Sequence, residues 1–525
     1  MDAITKRDLL RGSVATALGL GAAGANAAAL GQSAGQQDTA PEPGLPPIAK
    51  GRFDSSVASL KTYQTPDWFH DAKFGIWSHW GVQAVPRQGD WYARFMYVPG
   101  HPHYDHHRKT YGHPAESGYK DIIPLWKAER FDPEALMDRY AAAGAKYFVS
   151  MGVHHDNFDL WKSTHHRWNA VAMGPRRDIV GEWQRAARRR GLKFGVSEHL
   201  GASYTWWHPN GLYDQFWPKL GVAYDGADPA YADLYHGNHD EPFRNTPESW
   251  YTQKTAYHRM WLRRLRDLVD NYEIDLLYSD GGLPFGEIGR SLVAHLYNTS
   301  IARRGRLDAV YTCKDSGSGE FHKEACVQDV ERGVMNGIHP LPWQTDTSNG
   351  DWFFAENSDY KTARQIIAML ADIVSKNGNM LLNVVQYADG SLPPQSDQLL
   401  ADLATWMKIN AVAIHGTRPW HVFGEGPTET ASGMFKESGD YTAQDIRFTT
   451  RGETLYALTL AEATGPVAIA ALAQGNPHER RQVRRVRMLG HGGRASFRQT
   501  DQALVINLPA ASPTRQATAF EITFA

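Results

Sequence analysis

From about residue 52 to about residue 420, short apolar or aromatic runs alternate with longer amphipathic stretches. That alternation predicts strand–helix–strand units around a parallel sheet. Eight runs have the length and content of strands: KFGIWSHWG (73–81), KYFVSMGVHHD (146–156), KFGVSEHLG (193–201), IDLLYSDGG (274–282), AVYTCK (309–314), CVQDVERG (326–333), PWQTDTS (342–348) and NMLLNVVQ (379–386). Between them, Asp132 with Pro133 opens a helix before the run at 146. DIVGEWQRAARRRG (178–191) ends on a glycine suited to a left-handed cap. WLRRLRDLVDNY (261–272) carries apolar residues at helical spacing directly before IDLLYSDGG, so the polar end of that run is the C-terminal end of a strand. The expected fold class is α/β, a (β/α)8-like barrel of the TIM type.

After Trp420 the pattern shortens to LYALTL (455–460), VAIAAL (467–472), VRRVRML (483–489), ALVINL (503–508) and AFEITF (519–524). A small C-terminal all-β sandwich is the simplest closure for such runs. No internal repeat or heptad pattern is present. At the other end, TKRDLLRG (5–12) precedes an Ala/Gly-rich apolar stretch with small residues at Ala25 and Ala27, the layout of an export signal with a variant twin-arginine pair at Lys6-Arg7. The expected organisation is an export signal (1–30), a flexible linker (31–51), a barrel (52–422) and a β-sandwich (423–525). The protein is expected to be periplasmic or secreted, with no membrane span once the signal is removed.

The 525-residue length suits one large and one small domain. Lys plus Arg number 55 and Asp plus Glu 57, so no basic field exists to hold a nucleic-acid backbone. An uncharged partner fits better, and 17 Trp with 23 Tyr supply flat rings of the kind that stack on sugars. Most of these rings are needed for the core. Two cysteines, Cys313 and Cys326, allow one bridge and no multi-cysteine metal site.

In parallel barrels the loops after the strand C-termini form the active face. Here the strands end in His79, His154-His155, Glu198-His199 and Asp280. An apolar strand delivers the Asp280 carboxylate to a place where Gly281 and Gly282 permit close ligand approach, although an aspartate there also suits a helix N-cap. His154-His155-Asp156 and HPHYDHH (101–107) invite a metal reading. Strand neighbours point to opposite faces, however, so hydrogen bonding to hydroxyls asks less of the geometry. No metal and no organic cofactor is expected.

Seven segments, in order, resemble one family: WFHDAKFGIWSHWGVQAVP (68–86), DWYARFMY (90–97), GAKYFVSMGVHHDNFDLW (144–161), GPRRDIVGEW (174–183), LLYSDGG (276–282), DIVSKNGNMLLNV (372–384) and HGTRPW (415–420). Together they are similar to glycoside hydrolase family 29, the α-L-fucosidases. The resemblance implies a retaining exo-glycosidase in which Asp280 is the nucleophile. A second carboxyl group must lie about 5–5.5 Å away. Glu331 in QDVERG is the choice, with Glu324, Glu320 and Asp329 as alternatives. Burial and the charge of Asp280 are expected to help such an acid keep its proton. The sugar-binding set implied is His79, Asp90, Trp91, His154, His155, His199, Tyr278, Lys314 and Trp343.

Several positions depart from the commoner family pattern. Asp90 replaces Glu, Asn157 replaces Gly, Tyr278 replaces Trp, VSEH (196–199) replaces a Tyr-rich segment, and Gln344 and Ala411-Val412 stand where Glu is frequent. The implied partner is a fucosylated oligosaccharide or polysaccharide, not nucleic acid. Alternatives are a retaining hydrolase for a related sugar such as α-L-galactose, or a non-catalytic fucose-glycan binder. Oligomeric state is not legible.

Overall fold

The computed structural model describes residues 44–206, 225–236, 246–437 and 440–525; the expected export signal lies outside them. All eight runs form strands: β1 (Phe74–Ser78), β2 (Tyr147–Val153), β3 (Lys193–Glu198), β4 (Leu276–Ser279), β5 (Val310–Lys314), β6 (Val327–Asp329), β7 (Trp343–Ser348) and β8 (Gly378–Asn383). They pair in parallel in chain order, and β8 closes onto β1 with Gly75 opposite Leu381. Nearly every strand residue is buried, because a barrel wall is covered by side chains inside and helices outside. β6 keeps only three residues, which explains its faint pattern.

The helices follow their local signals. The Asp132 carboxylate accepts from the amides of Glu134 and Ala135 and opens Pro133–Ala142. Asp178 caps Ile179–Arg189, which stops at Gly191 with φ 68°. Thr255–Asn271 buries Trp261, Leu262, Leu265, Leu268 and Val269 on one stripe, the spacing that presents one face to a barrel wall.

The barrel interior is packed and partly polar. A Cβ on Gly75 would lie 2.4 Å from the Tyr147 ring, so glycine makes room for that ring to cross. The Tyr147 hydroxyl donates to Gln344 Oε1 at 3.0 Å, and Gln344 donates to Asp329 Oδ2 at 2.7 Å. Gln344, one of the departures from the family pattern, therefore serves the inside of the barrel.

The expected flexible linker requires a correction within its described part. Leu45 and Ile48 pack on the core, and Ala49 is held at both ends of its peptide: His295 Nδ1 accepts from its amide at 3.0 Å, and Asn298 donates to its carbonyl at 2.8 Å. Apolar side chains embedded in the Pro-rich stretch give it something to bury.

The C-terminal region contains an antiparallel five-stranded sheet and a three-stranded sheet. β9 (Arg418–Glu425), β10 (Ile446–Arg451), β11 (Thr454–Thr459), β13 (Val483–Met488) and β16 (Ala519–Phe524) form the larger; β12 (Val467–Ile469), β14 (Phe497–Gln499) and β15 (Leu504–Ile506) form the smaller. β9, β10 and β14 were not anticipated: β9 is mostly half-exposed and begins inside HGTRPW. The larger sheet buries both faces. Phe448, Leu455, Phe520 and Ile522 pack toward the smaller sheet, while Tyr456, Leu458 and Ala519 join the barrel's core. A buried ion cluster fixes the junction: Asp372 of the helix Ala363–Ser375 binds Arg447 Nε at 2.5 Å and Lys376 Nζ at 2.8 Å.

Candidate active site

Asp280 follows β4 at the C-terminal mouth of the barrel, with 17% of its side chain exposed, so a ligand can reach it. Its Oδ1 is 2.5 Å from Lys314 Nζ at the end of β5. Its Oδ2 is 3.2 Å from His155 Nε2 and 3.2 Å from His199 Nδ1. Burial pushes this carboxyl up, but the Lys314 ammonium and the two imidazoles outweigh it and hold the group well below the usual carboxylate range. Asp280 is therefore ionised at neutral pH and available as an oxygen nucleophile.

Glu331 follows β6 and sits 2.6 Å from the same Lys314 Nζ. With contacts of 2.5 Å and 2.6 Å to one nitrogen, the Asp280 and Glu331 oxygens are at most ~5.1 Å apart. That bound falls below the inverting range of about 6.5–9.5 Å and leaves the closer arrangement that retaining glycosidases use. Contrary to expectation, an ammonium stands between the two carboxylates in place of bare repulsion. Burial opposes the charge on Lys314, yet Asp280, Glu331 and Asp346 around it raise its pKa well above the ordinary lysine value.

The alternative acids are engaged elsewhere. Glu320 pairs with Arg290 at 2.5 Å and His322 at 3.0 Å. Glu324 is exposed and lies 3.7 Å from Lys61. Asp329 is buried in the barrel wall and accepts from Gln344. Glu198, another strand-end acid, accepts from Ser279, the Gly201 amide and Trp261, and so braces β4 from behind.

The cavity above these groups is lined by His79, Asp90, Trp91, His154, His155, His199, Tyr278, Lys314 and both carboxylates. β2 ends at Val153, so the strand alternation no longer applies and His154 and His155 both face the cavity. Gln83 bonds His154 Nδ1 at 2.8 Å, and the His199 carbonyl bonds His155 Nδ1 at 2.8 Å, which orients both rings. His199 Nε2 is buried with no hydrogen-bond partner among the described residues, a polar atom that a sugar hydroxyl would satisfy. Asp90 Oδ1 lies 3.7 Å from His154 Nε2. The Tyr278 hydroxyl donates to Asp346 at 2.8 Å.

Trp343 needs correction. It begins β7 at the opposite end of the barrel, fully buried, with its indole N–H donated to the Lys376 carbonyl at 2.9 Å. Strand direction places it far from the mouth. Gly281 lines the cavity as expected, whereas Gly282 does not, and protein crowds both. A Cβ on Gly282 would lie 1.9 Å from the Ser318 carbonyl oxygen, and one on Gly281 2.4 Å from the Tyr251 hydroxyl.

Sequence reasoning missed Asp346, Trp250, Trp352, Met434 and Phe435, which also line the cavity. Asp346 had a signal, because it lies toward the C-terminal end of β7. Burial raises its pKa to about 6 despite the nearby Lys314. The others come from loops without local pattern.

Among the described residues, two groups have potential ligand atoms within 4.8 Å of one another: His79, His154 and His199, and His155, His199 and Asp280. A cation in the second would face the Lys314 ammonium, which already compensates Asp280, so the donor set fits a metal poorly. The first is an all-imidazole floor suited equally to hydroxyl groups.

A family model described as alpha-L-fucosidase matches residues 46–412. The plasma alpha-L-fucosidase of Homo sapiens is 29% identical over 476 residues, covering 87% of this chain and 89% of the relative. That of Pongo abelii is 30% identical, covering 84% and 85%. The solved alpha-fucosidase of Thermotoga maritima superimposes with a TM-score of 0.69 at 26% identity, over 90% of this chain and 100% of the other. The alpha-L-fucosidase isoenzyme 1 of Paenibacillus thiaminolyticus gives 0.64 at 25%, over 89% and 100%. With a match that spans the whole barrel and a pair of carboxylates at its mouth, the chain belongs to the alpha-L-fucosidase family.

Proposed function

We propose that the protein hydrolyses terminal α-linked L-fucose with retention, using Asp280 as nucleophile and Glu331 as acid and then base. The observation that carries this reading is the pair of carboxylates held no more than ~5.1 Å apart by one ammonium. Asp280 attacks C1 while Glu331, entering as the carboxylic acid, gives its proton to the departing oxygen. Water then gives a proton to Glu331 and attacks C1, which frees Asp280. When the ester forms, Asp280 loses its charge, and Lys314 is left to stabilise the Glu331 carboxylate that must now act as base.

The floor of His79, His154, His199 and Tyr278 is buried while rim residues such as Thr246 and Phe435 are exposed. That gradient supports attack on a chain end. A related alpha-fucosidase from T. maritima has been solved in complex with fucose, which supports the choice of sugar and of a fucosylated glycan as partner. Export to the periplasm or beyond is part of the proposal and rests on Lys6-Arg7 and the apolar stretch after Val14. No described helix is long and apolar enough to cross a membrane.

Proton NMR of nitrophenyl α-L-fucoside hydrolysis tests the reading. α-L-fucose should appear first and mutarotate later. β-L-fucose as first product, or turnover of the α-L-galactoside alone, would contradict it.

A further inference from the structure

We infer that the C-terminal domain completes the active site: Met434 and Phe435, on the β9–β10 connection, form the subsite for the leaving saccharide. This rests on the fucosidase reading above.

The connection reaches back to the barrel and pairs with the segment that carries Glu331. The Phe435 amide donates to the Glu331 carbonyl at 2.8 Å, the Gly433 amide to the Val334 carbonyl at 2.8 Å, and the Glu437 amide to the Arg332 carbonyl at 2.8 Å. Glu437 anchors the far end, accepting from Thr347 Oγ1 at 2.5 Å and pairing with Lys361 at 2.8 Å. The strand of contacts fixes Phe435 beside Glu331 in a left-handed conformation with φ 58°, which a bulky residue adopts only when its surroundings impose it.

Both side chains line the same cavity as Asp280 and Glu331. Phe435 is 39% exposed, one of three large apolar residues so exposed among the described residues. An acid that protonates the leaving oxygen must face the leaving group, so an exposed ring beside Glu331 borders the space which that group occupies. An aromatic face there matches the apolar C–H face of a pyranose.

The test compares two substrates in the full chain. α-L-fucosyl fluoride has no leaving saccharide, whereas an α-L-fucosyl disaccharide does. Phe435→Ala should lower kcat/KM for the disaccharide about five- to tenfold and leave the fluoride within about twofold. Phe435→Trp should restore the disaccharide rate, and thermal unfolding of both variants should match wild type, since the ring is exposed. Equal losses on both substrates, or no loss on the disaccharide, would overturn the subsite while leaving the fucosidase reading intact. A wild-type protein that fails to turn over the fluoride would overturn that reading and this subsite with it.

Discussion

At the residue scale the site is organised by one cation. Lys314 touches both carboxylates, so its removal should act through Asp280's protonation. Burial raises that pKa, and Lys314 with the two imidazoles lowers it; without the ammonium the carboxyl protonates at higher pH. In Lys314→Met the acidic limb of kcat/KM should therefore move up by at least about one pH unit, within the range one neighbouring charge produces. An unmoved limb would separate Lys314 from the protonation of Asp280. Asp280→Gly should lower turnover by several orders of magnitude without loss of fold, and azide should partly restore it by occupying the vacated position. Most of this site was legible, because His79, His154, His155, His199 and Asp280 all end strands whose direction the sequence fixes. Trp343 misled because a motif match says nothing about which end of a strand a residue occupies. Phe435 and Met434 were invisible because they arrive from more than 100 residues beyond Glu331 in a connection without periodicity.

At the element scale, loops after the strands hold the site through close backbone packing. Gly282 abuts the Ser318 carbonyl, where a Cβ would stand 1.9 Å from the oxygen. Backbone cannot step aside as a flexible side chain can. Gly282→Ala should thus shift the loop bearing Asp280, cost about 1–3 kcal/mol and lower kcat more than tenfold; an unchanged unfolding midpoint and kcat would show the loop to be compliant. Asn157 illustrates the opposite device. It has φ 63° and stands where glycine is commoner, its amide donating to the carbonyls of Asp233 and Leu234 at 2.9 Å each, so side-chain bonds offset the backbone conformation. β1 to β4 and β8 were plainly legible as short apolar runs between helical patterns, whereas β5, β6 and β7 are short or polar and show only faintly. β9 and β14 were not legible, because edge strands that are half-exposed lose the alternation that reveals the others; β10 is a paired, mostly buried strand whose run IRFTTR is largely polar.

At the scale of the whole molecule, barrel and C-terminal domain share a core, and the domain's β9–β10 connection reaches the catalytic mouth. Asp372 sits at the junction, 2% exposed, bonded to Arg447 and Lys376. Asp372→Asn would leave two cations buried without their anion, a change that costs about 3–5 kcal/mol. Calorimetry should show a clearly lower unfolding midpoint, and the barrel and the sheet domain should still unfold together because their core is continuous. A variant as stable as wild type would show the junction to rest on apolar contact alone.

The central claim is that Asp280 bonds to the sugar. Incubation with 2-deoxy-2-fluoro-L-fucosyl fluoride, followed by peptide mass mapping, tests it most directly. The account predicts one deoxyfluorofucosyl group per chain, carried by the peptide containing Asp280. A label on any other residue, or an active enzyme that takes up none, would contradict it.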